Sequence, residues 1–127
     1  MNAELLLPKN KYDTSNIDKL KLISDIEFSH IADELLTWLQ DASWPVFNKV
    51  CDIIIERQNE ITKHISKILL NDDYIWQYNV LRYAVRQFSS ENRMKLMSSI
   101  NALTSINSTD EDCLLVKAEA TRILNMK

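Results

Sequence analysis

Residues 61–76 read ITKHISKILLNDDYIW, and this stretch decides the fold. Four of its apolar residues recur with the spacing of a helix that has one buried face: Ile61, Ile65, Ile68 and Leu69. The polar residues Asn-Asp-Asp interrupt this pattern, and a second helical pattern follows at once. Because so short a connection forces consecutive helices to run antiparallel, the stretch predicts a helical hairpin.

The hairpin pattern recurs along the chain. Three copies of a short motif, 32 and 37 residues apart, each follow an apolar helical stripe: Asp41 with Trp44, Asp73 with Trp76, and, more weakly, Asp110 with Cys113. Asp can cap the second helix of a pair, and Trp can fill the wedge between two pairs. A helix pair repeating at this period is typical of α-solenoids. We therefore expect an all-α fold: a short right-handed α-solenoid of HEAT-like antiparallel helix pairs, about seven helices, in a single domain over residues 1–127.

The remaining apolar stripes and the breaks between them predict the other helices. The stripes are Ile17, Leu20 and Ile23; Ile31, Leu35 and Leu39; Val46, Val50 and Ile54; Leu81, Ala84, Val85 and Phe88; Met94, Met97, Ile100 and Leu103; and Val116, Ala120, Ile123 and Leu124. Ser108 with Glu111 predicts a capping box, in which each side chain accepts a free backbone N–H. Further predicted caps are Ser89 or Ser90, Asn59 and Asp72.

The composition excludes several classes of protein. The chain has 127 residues, 46% of them hydrophobic and 26% charged, which are ordinary globular values. It has no glycine, so glycine-rich phosphate loops are excluded. The net charge of −3 argues against direct nucleic-acid binding, and the longest apolar runs are too short to cross a membrane. The N-terminus lacks the pattern of a signal peptide, so we expect a cytoplasmic protein of the bacterial type.

Four segments resemble an uncharacterised bacterial family, domain of unknown function 5071: residues 7–9 (LPK), 11–13 (KYD), 38–46 (WLQDASWPV) and 72–78 (DDYIWQY). The resemblance covers about residues 5–124, and residues 38–46 are its most specific part. It implies a short HEAT-type helical stack and no activity, so no catalytic residue carries over. Phe47 stands where family members commonly have a small residue, and the family's glycines are missing here.

The reactive side chains do not form a recognisable catalytic or metal-binding set. His30 and His64 are the only histidines and are expected on the surface, because a metal site needs more donors. Cys51 and Cys113 are expected to be reduced and buried. The paired carboxylates lie at predicted helix starts or on solvent faces, where they complement the helix dipole. We therefore predict no enzyme, no cofactor and no metal.

The aromatic residues of the middle repeats allow two interpretations. They are inter-repeat core, or a recognition surface, since Trp, Tyr and Arg are enriched in binding hot spots. Tyr78, Arg82 and Arg86 are four residues apart and would share one helix face, either a solvated stripe or an anchor for an acidic ligand.

The charge distribution suggests a partner. Residues 1–60 hold 11 acidic and six basic residues, a net charge of −5, and the remainder carries +2. This acidic half either serves solubility or suits a basic partner. We expect a protein-binding module, an immunity protein that neutralises a cognate basic toxin domain, with a scaffold protein of a larger assembly as the alternative. The residues expected to bind the partner are Asp33, Glu34, Asp41, Asp52, Glu56, Asp73 and Tyr78.

Overall fold

The computed structural model describes residues 3–126. Within that range it has seven α-helices and no strand, so the all-α prediction is confirmed. In chain order the α-helices are α1 (Asp25–Leu36), α2 (Phe47–Glu56), α3 (Gln58–Leu69), α4 (Tyr74–Tyr83), α5 (Ser90–Lys95), α6 (Met97–Thr104) and α7 (Glu111–Leu124). Four 3-10 helices accompany them: Ala3–Leu6, Ile17–Lys21, Thr37–Leu39 and Val85–Gln87.

Several apolar stripes span more than one helical segment. The front stripe forms a 3-10 helix, Ile17–Lys21, rather than an α-helix. The stripe from Met94 to Leu103 is divided at Leu96, which is buried between α5 and α6. Met94 is 70% exposed, so its place in the buried stripe was predicted wrongly. Leu96 fills the core there because the break shifts which residues face inward.

Side-chain caps start four of the α-helices. Ser24, Asp73, Ser89 and Asp110 precede α1, α4, α5 and α7, and each accepts backbone N–H groups of the first turn. The predicted cap at Ser89 and the capping role of aspartate in the repeated motif at Asp73 are therefore confirmed. Such a cap stabilises a helix by about 1 kcal/mol.

Three predicted caps are wrong. Ser108 does not cap α7, because the cap is Asp110, whose carboxylate accepts from Asp112 N and Cys113 N. Ser108 Oγ accepts instead from Asp110 N, before the helix begins. Asn59 lies inside α3. Asp72 precedes the actual cap, Asp73, by one residue.

Contacts between α1, α3 and α5 join residues 31 to 34 positions apart in the chain. Arg57, just before α3, binds Asp25, and Lys67 near the end of α3 binds Asp33. Ser89, just before α5, and Asn92 in α5 both bind Gln58 of α3. The contacts between α1 and α3 advance in the same direction on both helices, so these two run parallel. We call α1, α3 and α5 the first layer.

A second layer consists of Thr37–Leu39, α4 and α7. Trp76 Nε1 donates to Leu36 O at 2.9 Å, and Asn79 Nδ2 donates to Leu39 O at 2.8 Å. Further along, α4 packs against α7, and Arg86 forms an ion pair with Glu119. Trp76 thus joins the start of α4 to the end of α1, 40 residues earlier in the chain.

The buried apolar side chains form one cluster, which extends from Ala3 to Ile123. Phe28, Leu39, Ile54 and Ile65 are among its fully buried members. Burial of such side chains contributes roughly 1.5–3 kcal/mol each relative to exposure. Among the described helices, none is long and apolar enough to span a membrane.

Arg57 is buried at the turn between α2 and α3, where it joins three segments of the chain. Its Nη1 donates to Leu20 O and Ile23 O, both at 2.9 Å. Its Nη2 and Nε donate to Asp25 and Glu60, at 3.0 and 2.6 Å. The guanidinium carbon also lies 4.5 Å from the centre of the Phe28 ring. A planar five-donor group fits these acceptors, whereas an ammonium would not.

Arg57→Met should destabilise the protein by about 3 kcal/mol, because it leaves buried carbonyls and the Glu60 carboxylate without a donor. Urea unfolding followed by circular dichroism measures the change. Arg122→Met, at an exposed arginine of α7, is the matched control and should cost less than about 1 kcal/mol. Equal effects of the two substitutions would contradict the role given to Arg57.

Candidate functional site

A polar bridge of three side chains connects α1 to α3. His64 Nδ1 lies 2.8 Å from Asp33 Oδ1, and His64 Nε2 lies 3.4 Å from Ser29 Oγ. Ser29 and Asp33 are one helical turn apart on α1, so both face the same neighbour. Lys67, one turn after His64, donates to Asp33 Oδ2 at 3.1 Å. We call Ser29, His64 and Asp33 the polar bridge.

The prediction that both histidines lie on the surface is half wrong. His30 is exposed, but only 7% of His64 is accessible. The flanking Lys63 and Lys67 suggested an exposed position, and both lysines are exposed, yet the His64 ring is buried against α1. The sequence signal that could have found this pair is the 31-residue separation of Asp33 and His64, close to the period of the repeat.

Asp33 is ionised across the physiological pH range. Partial burial raises its pKa, but hydrogen bonds from His64 and Lys67 outweigh that effect, so the net pKa lies below its ordinary value. The carboxylate is therefore occupied by two partners on α3. This makes Asp33 a poor contact for an external cation, although it was predicted to bind a partner.

The other predicted binding residues of the N-terminal half do not converge on one site. Glu34 and Asp52 are exposed on α1 and α2. Glu56 lies 3.4 Å from Lys21 in a surface ion pair. Asp41 accepts from the N–H and hydroxyl of Ser43, and these hydrogen bonds lower the pKa of its carboxyl. Asp41 thus stabilises a turn and does not cap α2.

Much of the negative charge of the N-terminal half is locally neutralised. Within the described range, carboxylates at several positions lie within ion-pair distance of a lysine, arginine or histidine: Asp18, Asp25, Asp33, Glu56 and Glu60. Pairs exposed on both sides, such as Lys21 with Glu56 and Lys49 with Asp18, contribute about 0–1 kcal/mol to stability. All of these pairs reduce the field available to attract a partner. The acidic half found in the sequence is therefore not a continuous acidic surface.

The structure concentrates unpaired negative charge elsewhere, at the starts of α4 and α7. Tyr74 at the start of α4 lies against Cys113 at the start of α7. The Cys113 thiol, partial burial, and the Asp110 and Asp72 carboxylates together raise the pKa of the Tyr74 hydroxyl. These contacts bring five carboxylates to one edge, which we call the acidic edge: Asp72, Asp73, Asp110, Glu111 and Asp112.

None of the five carboxylates of the acidic edge forms an ion pair with a residue in the range 3–126. All five residues are exposed. Exposed apolar side chains follow directly in both helices: Ile75 is 38% accessible, Leu114 49% and Leu115 48%. Of the predicted binding residues only Asp73 belongs to this edge. Sequence reasoning missed the other four because they lie in the half with a net positive charge.

The aromatic residues are mainly structural. Trp38 packs edge-on against Trp44, with ring centres 5.6 Å apart, and Tyr78 packs against the core. The predicted common face of Tyr78, Arg82 and Arg86 is wrong, because α4 ends at Tyr83 and Arg86 follows in a 3-10 helix. There Arg86 pairs with the buried Glu119 of α7.

The cysteines are free and buried, as predicted. Burial, with a smaller contribution from Asp52, raises the pKa of the Cys51 thiol to about 12, so it is an unreactive thiol at neutral pH. Among the residues that the structure describes, no group of three or more His, Cys, Asp and Glu side chains could hold a metal ion.

Asp33→Asn should lower the melting temperature near neutral pH and have little effect in strong acid. The lowered pKa of folded Asp33 means that its stabilisation is present above about pH 4, the unfolded value, and is lost as pH falls through the folded value. Thermal unfolding of both proteins at several pH values tests this. Asp52→Asn, at an exposed carboxylate, is the control; a pH-independent difference for Asp33→Asn would contradict the pairing.

Comparisons with known proteins give one assignment. Residues 6–124 match the family described as Domain of unknown function (DUF5071). No curated protein matches the chain. Because the family match covers nearly the whole sequence, the chain belongs to the DUF5071 family.

Proposed function

We propose that the protein is a binding module that acts in the bacterial cytoplasm as an immunity protein. It binds a cognate toxin, such as a nuclease toxin of contact-dependent growth inhibition, and neutralises it by covering its active site. The observation that carries this proposal is the acidic edge, where five exposed carboxylates form no ion pair within residues 3–126. A nuclease must present cations to the phosphates of its substrate, and an acidic surface complements such a cleft.

The proposed architecture is a HEAT-like right-handed solenoid of helix pairs. It is supported by contacts that repeat at a nearly constant separation. In the first layer, hydrogen-bonded partners are 31–35 residues apart, and in the second layer 33–40 residues apart. Parallel packing of equivalent helices from successive units is the arrangement expected of a solenoid.

The composition of the edge suits a protein partner better than a small cation. Interfaces combine apolar contacts at the centre with polar groups at the rim. Leu114 and Leu115 supply exposed apolar surface in the first two turns of α7, and the carboxylates lie at the starts of α4 and α7. Charge accelerates the encounter, and burial of the leucines slows dissociation.

Asp72→Lys combined with Asp112→Lys should slow association with the partner at least about tenfold at low salt, because the two substitutions reverse the local field. Neither residue caps a helix, so the fold should be retained. Stopped-flow mixing measures the rate. Glu34→Lys with Asp52→Lys changes the net charge equally and is the control. Equal slowing by both pairs would refute steering by the acidic edge.

The immunity function itself is tested with the product of the adjacent gene. Its expression alone should arrest growth, and co-expression with this chain should restore growth and yield a stable complex. A harmless neighbour that forms no complex would refute the proposal.

The alternative proposal is a scaffold protein in a larger assembly. It is favoured by two apolar residues close in sequence near the start of α1, Leu22 and Ile26, which are 88% and 72% exposed. Isolated apolar residues are common on surfaces, whereas strongly exposed apolar surface that is contiguous can mark an interface. Concentration-dependent self-association in light scattering, together with a harmless neighbour, would favour the scaffold.

A further inference from the structure

We propose that the polar bridge makes Ser29 a nucleophile that cleaves a small carboxylic ester. In this assignment His64 is the general base, Asp33 positions His64, and the groove beside Ser29 holds the ester. The activity uses residues of the first layer and is independent of the acidic edge, so the proposed binding function can fail without affecting it.

The hydroxyl of Ser29 differs from the other helical hydroxyls. Within helices, Thr62, Ser66 and Thr121 donate to backbone carbonyls three or four residues earlier, which is the usual use of such a group. Ser29 Oγ has His64 Nε2 as its partner instead. The separation of 3.4 Å is longer than an ideal hydrogen bond, as is common for a nucleophile and its base before substrate binds.

The Asp33 carboxylate fixes the proton on the imidazole. An ionised carboxylate only accepts, so Nδ1 of neutral His64 carries the proton and donates to Asp33 Oδ1. Nε2 is then the unprotonated nitrogen, and it faces Ser29 Oγ. This is the tautomer that can remove a proton from the serine hydroxyl.

A groove of about 370 Å³ opens beside Ser29, with Asn59, Glu60 and Lys63 on the α3 side and Asp25 at the start of α1. The carboxylates of Asp25 and Glu60 are both bound by Arg57. Backbone N–H groups within α1 are used by the helix, so an oxyanion must be stabilised by side chains. Lys63 has no ion pair among the described residues. Asn59 Oδ1 accepts from Asn92 Nδ2, which leaves the Asn59 amide protons as donors. The Asn59 amide and the Lys63 ammonium are therefore available to donate to a carbonyl oxygen that becomes negative.

The reaction balances with water as the only co-reactant. Ser29 Oγ attacks the carbonyl carbon and its proton moves to His64 Nε2; the bond to the leaving alcohol breaks, and that alcohol takes the proton. Water then attacks the acyl-serine and gives a proton to Nε2. The bond from carbon to Ser29 Oγ breaks, and the proton returns to Oγ. The net change is ester and water to carboxylic acid and alcohol.

The test treats the full chain with a fluorophosphonate probe, which forms a phosphorus–oxygen bond to an activated serine with loss of fluoride. We expect one label, located at Ser29 by mass spectrometry of peptides, and none in Ser29→Ala. Hydrolysis of p-nitrophenyl acetate should fall about 100-fold in that variant. Ser66→Ala, which removes a hydroxyl of α3 bound to its own backbone, is the control and should keep both signals.

The tautomer of the His64 imidazole tests whether Asp33 positions it. Nitrogen NMR should report the Nδ1–H tautomer of His64 in the native protein and the Nε2–H tautomer in Asp33→Asn, with loss of labelling in a variant that is still folded. An unlabelled native protein, or equal labelling of Ser29→Ala, would overturn the proposal. The polar bridge would then be a structural contact between α1 and α3.

Discussion

The guanidinium of Arg57 is the constraint on which the N-terminal part of the fold depends. It is almost fully buried, and its hydrogen bonds reach the 3-10 helix Ile17–Lys21, the start of α1 and the start of α3. A buried charge is tolerated only when every donor finds an acceptor. Because the acceptors come from three segments, the arginine fixes how those segments lie against one another, and α1 is thereby aligned in parallel with α3.

The two layers carry differently charged surfaces. In the first layer, equivalent helices place Asp33 opposite His64 and Lys67, so the carboxylate is used internally and the polar bridge forms. In the second layer, α4 and α7 start side by side with acidic residues at both starts. The N–H groups of the helix ends compensate part of that charge through the caps Asp73 and Asp110, but the exposed carboxylates beside the caps face solvent.

Local physics made the helices predictable from the sequence, whereas pairing between distant residues was not predictable. Apolar spacing and the caps Asp73 and Ser89 depend on residues within one or two turns, so they can be predicted from the local sequence. The position of His64 depends on which face of α3 meets α1, and its own neighbours are lysines. The acidic edge likewise depends on the contact of Tyr74 with Cys113, which are 39 residues apart. Counting the net charge of each half of the chain does not reveal such a contact.

Amide hydrogen exchange, followed residue by residue in the native protein and in Arg57→Lys, examines the constraint itself. If Arg57 unites the three segments, the amides of Ile17–Lys21, the first turn of α1 and the first turn of α3 are protected together in the native protein. In Arg57→Lys they should lose protection together, while α4 and α7 keep theirs. Loss confined to one segment, or unchanged protection in all three, would contradict the account.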